Sequence, residues 1–498
     1  MAIAKKLLDK DWSIKDIVSI FQKKSKIEID KSTENLVVRQ RQKLEKLIKS
    51  KSEPIYGINT GFGSLCNTLV APQDLETLQE NLIKSHACGI GNPVTDETVR
   101  LILIFKILSL SKGNSAIRIE LLQFLVDLYN KNGIAYIPEF GSLGASGDLA
   151  PLSHLSLCIL GQGKMKSGDS WSNTKEVLAK KKLKPIGLKA KEGLALINGT
   201  QYSLALLFQA VVKARRCYHL SNLVSALSLE AFNGRLEAFD PAIQRLRNQS
   251  GQISCAQEFL DYFKTSNIQT RKKDAVQDPY SFRCIPQVHG ASLDAIKYVE
   301  QIVQNEINSV TDNPLLIDDD LILSGGNFHA QALALAADFL SIAVSELGSI
   351  SERRSYQLVS GNRGLPDFLA GNPGLESGYM IVQYAVASIA SLNKSLATPS
   401  SVDSIISSKA QEDHVSMAPN ASWKCLKILD NVEQILSIEW LIGARAIEFG
   451  RDIKLDKNLQ SIFTKYRKIV AFQKSDHIPQ ELYAPTTQFL RTITCPVQ

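Results

Sequence analysis

The sequence lacks the motifs that announce the commonest chemistries. Its 498 residues contain no GxGxxG fingerprint, no GxxxxGK[ST] loop, no HExxH pair and no GxSxG elbow. Those absences remove the signatures of dinucleotide binding, P-loop phosphate binding, zincin metal sites and α/β-hydrolase nucleophiles. Eight cysteines stand at 66, 88, 158, 217, 255, 284, 425 and 495, with no CxxC and no regular spacing. They read as reduced, mostly buried thiols rather than a disulfide framework or a zinc site, and no ligand cluster points to a metal. There is no Gly/Pro-rich or low-complexity tract, and 44% hydrophobic with 21% charged residues is ordinary for a globular protein. Long uninterrupted apolar runs are missing too. The best of them, "LALAADFLSIAVSELGSI" (333–350), contains Asp338 and Glu346, as a bundle helix would and a membrane span would not. The opening "MAIAKKLLDKDWSIKDI" carries charge too early and too often for a signal peptide. A cytoplasmic, enzyme-sized protein with no membrane association is the expectation.

The formal net charge of +7 is spread along the chain. Its one dense basic stretch, "AKKKLKPIGLKAK" (179–191), has no interleaved aromatics and reads as a solvated face, not a nucleic-acid patch.

Apolar residues at three- and four-residue spacing in "KSTENLVVRQRQKLEKLIKS" and "APQDLETLQENLIKSHA" predict amphipathic helices. Between them "PIYGINTGFGSL" is broken by Gly57, Gly61 and Gly63 and reads as a loop. Beyond residue 200 the pattern changes to long helices over 201–232, 287–311, 328–356, 376–397 and 415–449. Their lengths predict a mainly α fold with a helix bundle, and their broad apolar faces imply burial by subunit partners as well. The expected division is an N-terminal mixed domain, 1–205, followed by a long-helix domain, 206–498. Irregular connectors at 268–286, 312–327, 357–375 and 398–414 hold most of the unusual polar residues, and such loops are where catalytic groups tend to sit.

One short stretch is unusually rich in small residues: "GSLGASGDLAPLSHL" (141–155). Ser146 could be a nucleophile only with a placed histidine base and an acidic orienter, and His154 is equally suited to packing. Ala145-Ser146-Gly147 has another capacity. If the Gly147 amide nitrogen approaches the Ala145 carbonyl carbon, a five-membered ring can close, helped by the missing Cβ of glycine. Loss of water from that ring and from the Ser146 side chain leaves an exocyclic methylene on an electron-poor ring, a strong electrophile made from protein alone.

"GSLGASGDLAPLSH" resembles the signature of the histidine and aromatic amino-acid ammonia-lyase family, whose 4-methylideneimidazol-5-one (MIO) group forms in this way. Further stretches match in order: "YGINTGFG" (56–63), "SHACGIG" (85–91), "EGLALINGTQ" (192–201), "QDPYSFRCIPQVHG" (277–290), "SVTDNPL" (309–315), "SGGNFHAQ" (324–331) and "QEDHVSM" (411–417). The resemblance implies an aspartase/fumarase-like long-helix bundle and a carbon–nitrogen lyase that removes ammonia from an α-amino acid. It implies a homotetramer with active sites shared between subunits, an MIO group from Ala145, Ser146 and Gly147, and no external cofactor.

By the same resemblance Tyr56 is the base for the β-proton, and Glu412 is a second candidate for that role. Phenols titrate near about 10, so Tyr56 needs neighbours that favour its ionisation. The glycines around it suit a mobile lid. Arg283 matches the partner of the substrate carboxylate, to which a guanidinium fork is suited. Asn198 and Gln277 match polar groups around the prosthetic group and carboxylate, and Tyr280 and Phe328 match residues shaping the pocket. Pro279 disfavours helix at Asp278, so "QDPYSFR" is expected to be irregular and to project Gln277, Tyr280 and Arg283.

His86 and Glu412 bear on the substrate. A carboxylate and a histidine can bind and orient an imidazole, whereas a phenyl ring would leave Glu412 unpaired. Together they favour L-histidine, deaminated to trans-urocanate; the alternative is a tyrosine- or phenylalanine-directed lyase or aminomutase. The chain departs from the pattern common among histidine-directed members at Gln331, Leu392, Thr398 and Ser400.

Overall fold

The structure is a computed structural model that describes residues 5–50, 54–65, 67–317, 321–450 and 452–494. Cys66 and Cys495 lie outside the described residues, and among those described no disulfide forms.

Helices dominate. The strands among the described residues pair only into two-stranded sheets, too short to make a layer. The five long helices are Gln201–Ala231, Ile285–Ile307, Gln331–Val359, Met380–Leu396 and Ala418–Phe449, each within a few residues of the span its apolar periodicity predicts. The two earlier amphipathic patterns become helices Lys31–Ser50 and Leu75–His86. Helix Gln331–Val359 is long and apolar enough to cross a membrane by length and composition, yet most of its apolar window is buried in protein.

The chain divides into two compact units. One comprises Met1–Gln209, Glu300–Ala337 and Pro399–Trp423; the other comprises Ala210–Val299, Asp338–Thr398 and Lys424–Gln498. The first unit therefore gathers the N-terminal part of the chain with two later segments, and these carry "SVTDNPL", "SGGNFHAQ" and "QEDHVSM".

At the centre of the first unit runs helix Asp96–Ser111. Thr95 caps it by accepting from the Thr98 amide, and Asp96 and Glu97 complement the positive end of its dipole. From Thr98 onward almost every residue is buried, as expected of a helix that is apolar all round. The six-residue helix Glu192–Ile197 is also wholly buried and ends on Asn198. In the second unit Phe232 stacks on Phe282, with ring centres 4.3 Å apart. Buried Arg354 there donates to Glu439 from Nε at 2.6 Å and from Nη2 at 2.9 Å.

Candidate active site

Residues 141–147 connect strand Pro138–Phe140 to helix Leu149–Leu157. Gly144 and Gly147 have φ of +64° and +76°, a region that L-residues with a Cβ rarely adopt. Space excludes a side chain as well: a Cβ on Gly147 would overlap the Gly199 backbone, and one on Gly144 would overlap Ser416 Oγ. The small residues thus bring backbones together. Gly147 bridges Gly199, and the Asp148 amide donates to Gly199 O at 2.7 Å. On another side Ser416 Oγ donates to Gly144 O at 3.1 Å and the Met417 amide to Leu143 O at 2.9 Å.

Ser146 is held by an amide and not by a base. Asn198 Nδ2 donates to Ser146 O at 2.6 Å and to Ser146 Oγ at 3.0 Å. His154 Nε2 instead accepts the Gly89 amide at 3.0 Å, which fixes the "SHACGIG" loop and removes His154 as a base for Ser146. The segment fits a precursor of the MIO group on three observations. Gly147 is pressed against Gly199 where only glycine fits, the Ser146 carbonyl already has a donor, and Asn198 Oδ1 is buried without a hydrogen-bond partner.

Around this segment lie buried charges to which the sequence assigns no role. Asp148 is fully buried and accepts from Ser203 N at 2.8 Å, Ser203 Oγ at 2.9 Å and Ser142 Oγ at 3.1 Å. Burial raises its pKa to about 6 against those hydrogen bonds. Lys106 Nζ donates to Ala195 O at 3.1 Å and Asn198 O at 2.9 Å, and burial lowers its pKa to about 7. The one available signal was a single lysine inside the apolar run "LILIFKILSL" (101–110). Lys191 belongs to the basic stretch expected to be solvated, but it is the exception: it is buried, and its Nζ lies 2.6 Å from Asp312 Oδ2. Ser115 Oγ donates to Asp312 Oδ1 at 2.8 Å, so "SVTDNPL" is tied to the chain around helix Glu192–Ile197.

The other candidate residues of the first unit lie on loops and at a helix end. Tyr56 is half-buried in a turn whose Gly57 has φ +72° and packs where a Cβ would overlap Leu194. Ile58 is buried with Leu44, Leu47, Ala116 and Leu316, so the turn after Tyr56 is anchored in the core. The Gly63 amide donates to Tyr56 Oη at 3.4 Å, and the short turn Gly63–Leu65 meets turn Ser408–Ala410. Four residues beyond Ser408, Glu412 Oε2 accepts from Ser407 Oγ at 2.9 Å. His414 stacks on His329 with ring centres 5.6 Å apart, joining "QEDHVSM" to the half-buried Phe328 segment. His86 ends its helix with Nδ1 2.8 Å from Leu82 O. Ser85 Oγ also lies 3.0 Å from Nδ1; a proton on Nδ1 would satisfy the carbonyl and leave Nε2 as an acceptor.

Gln277, Tyr280 and Arg283 belong to the second unit. Asp278 lies outside any helix as expected, but Tyr280–Arg283 form one helical turn where an irregular run was predicted. The reason is that Pro279 is well placed to precede a helix, where its missing N–H costs nothing. Asp278 is buried and accepts from the Arg235 amide at 2.6 Å and Arg363 Nη2 at 2.8 Å, which anchors the turn. Gln277 is exposed and Tyr280 is 70% exposed. Arg283 lies over the Tyr280 ring at 4.4 Å, and its Nε is buried with no hydrogen-bond partner. Among the described residues no carboxylate pairs with Arg283, which leaves its fork open for one.

The long-helix body and the clamped Ala-Ser-Gly turn are those of a chain in the class of amino-acid lyases. The sequence model of the aromatic amino acid lyase family matches residues 12–468, and the chain belongs to that family. It is similar to the histidine ammonia-lyase of Streptococcus pyogenes, 44% identical over 475 residues, which span 95% of this chain and 92% of that one. Among solved structures it resembles histidine ammonia-lyase from Trypanosoma cruzi, with a TM-score of 0.90, 37% identity and coverage of 98% and 93% of the two chains. It also resembles Pantoea agglomerans phenylalanine aminomutase, with a TM-score of 0.92, 30% identity and coverage of 97% and 98%.

Proposed function

We propose that the protein deaminates L-histidine to trans-urocanate and ammonia, using an MIO group formed from Ala145, Ser146 and Gly147. The observation that carries this reading is the hold on Ser146: Asn198 Nδ2 reaches both its carbonyl and its hydroxyl, while Gly147 is pressed on Gly199. When formed, the group supplies an electrophile that makes the substrate amine a better leaving group. The chain's own residues do the rest. Arg283, paired with no carboxylate among the described residues, takes the substrate carboxylate, and the exposed Gln277 amide adds a donor. Tyr56 takes the β-proton as phenolate. His86, with Nδ1–H committed to Leu82 O, presents Nε2 to an imidazole N–H, and Glu412 holds the second ring nitrogen. Tyr280 and Phe328 wall the pocket.

The choice of histidine over an aryl side chain rests on His86 and Glu412, and the 44% identity to a histidine ammonia-lyase supports it against 30% to the aminomutase. Incubating the protein with histidine, tyrosine and phenylalanine and reading the ultraviolet spectrum of each product tests the choice. Urocanate should form fastest; faster turnover of tyrosine would refute it. Intact mass tests the prosthetic group, since the mature chain must be lighter than its sequence by two waters.

The working form in this reading is a cytoplasmic homotetramer with shared sites, divided between a domain over 1–205 and a bundle over 206–498. Leu335, Phe339 and Ile342 form an exposed stripe at helical spacing on Gln331–Val359, as a bundle between subunits requires. The exposure of Gln277 and Tyr280 on one chain fits a site completed by another. Light scattering of the purified protein should give four times the chain mass.

A further inference from the structure

Lys106 sits mid-way along the apolar helix Asp96–Ser111, between Phe105 and Ile107, and is 1% exposed. A cationic or polar head in such a place is unfavourable unless its N–H groups find acceptors. Lys106 finds them at one spot, the carbonyls of Ala195 and Asn198. These lie at the C-terminal end of helix Glu192–Ile197, where the last carbonyls lack intrahelical partners and carry the negative end of the dipole. Asn198 is also the residue whose side-chain amide reaches Ser146. A continuous line of contacts thus runs from Lys106 Nζ through the Asn198 main chain to the Ser146 carbonyl.

We propose that Lys106 is a positioning residue for the maturation of the protein: by fixing the Asn198 main chain it aims the Asn198 amide at Ser146 and so sets the rate at which Ala145-Ser146-Gly147 cyclises. This rests on reading that segment as the precursor of the MIO group. In the cyclisation a bond forms between Gly147 N and the Ala145 carbonyl carbon; the Ala145 oxygen leaves as one water with the Gly147 and Ser146 amide protons, and the Ala145 carbon becomes doubly bonded to Ser146 N. The Ser146 hydroxyl and α-proton leave as the second, so no oxidant or reductant is needed. A donor on the Ser146 carbonyl draws electron density from the α-carbon and eases loss of that proton.

The test follows newly synthesised full-length protein by intact mass, with helical circular dichroism to count only folded chain. Lys106→Met is expected to lose its two waters about tenfold more slowly than wild type, the size of effect that loss of a buried hydrogen bond brings, with Lys106→Arg recovering part of the rate. Because Lys106 acts through Asn198, the K106M/N198A pair should be no slower than N198A alone. Wild-type maturation in K106M, or effects that add in the pair, would overturn the proposal. Should K106M fail to fold, Lys106→Gln is polar but one bond too short to reach the same carbonyls, so maturation of K106Q at the wild-type rate would overturn it equally. If wild type itself never loses two waters, the prosthetic-group reading fails first and takes the proposal with it.

Discussion

The 141–147 segment of the first unit and the 277–283 segment of the second are built in opposite ways. In the first, polar atoms are consumed internally: Ser146, Ser142, Asp148 and Ser416 all make hydrogen bonds with neighbouring chain. In the second, the Asp278 carboxylate and the Gln277 and Ser281 carbonyls are taken up by neighbouring chain, while Gln277 is exposed and Arg283 Nε has no hydrogen-bond partner among the described residues. A segment that must react with itself needs fixed backbone and no solvent in competition. A segment that meets a ligand must keep its donors unsatisfied until the ligand arrives. Under the proposed function, that difference separates the stretch that reacts from the stretch that recognises.

The strongest way to break that comparison is at Ser146. Ser146→Ala removes the precursor of the methylene, so turnover should fall by about 10³-fold or more, as when a nucleophile or electrophile is deleted outright. The fold and assembly should be unaffected, because Ser146 is half-exposed and its loss opens no core cavity. Near-normal turnover in this variant would remove the first segment from the reaction altogether.

Gly147→Ala probes the backbone rather than the side chain. It forces a Cβ onto a residue at φ +76° and into the Gly199 backbone, so it should cost roughly 1–3 kcal/mol of stability as well as the ring. A lowered thermal midpoint together with an unprocessed mass is the expected pair of results. Normal mass at a normal midpoint would show that the close approach at Gly199 is not required.

Much of this was legible in the sequence, and the limits of that reading are physical. The long helices announced themselves because period-3.6 apolar patterns persist over many turns and report burial directly. The site residues were legible only as motif matches, since nothing in local spacing says that Asn198 meets Ser146 across 52 positions. Lys106 was missed because an isolated lysine in an apolar run carries no partner in sequence; its acceptors lie about ninety residues on. The turn at Tyr280–Arg283 was misjudged because a proline breaks helix before itself yet can begin one after. Asp278 had no assigned role, and its partner Arg363 sits 85 residues away at a φ of +57° that local pattern does not forecast.

Arg283→Lys sharpens the recognition side. Lysine keeps the charge but loses the planar fork, so kcat/KM should drop by about 10–100-fold, from lost bidentate hydrogen bonding. Helical content and thermal midpoint should stay put, since Arg283 Nε has no protein partner to lose. If stability falls along with turnover, Arg283 is a structural group and the contrast between the two segments is wrong.

A last test uses the pH dependence of stability contributed by two buried groups of the first unit. Lys106 titrates near 7 in the folded chain, pulled down from 10.5 by burial. Between those values the unfolded chain holds a proton that the folded chain has released, so this group makes stability rise with pH across that window and withdraws the gain as pH falls through 7. Asp148 titrates near 6, raised from 3.8 by burial. The folded chain then holds the extra proton, so its contribution is full below about 4 and is lost as pH rises through 6. Thermal midpoints of wild type and Lys106→Met compared from pH 7 to 9.5 isolate the lysine, because Asp148 is already ionised there. The wild-type midpoint should climb relative to the variant with rising pH. A constant difference would mean that Lys106 keeps its proton in the folded chain and acts as a fixed charge beneath Asn198.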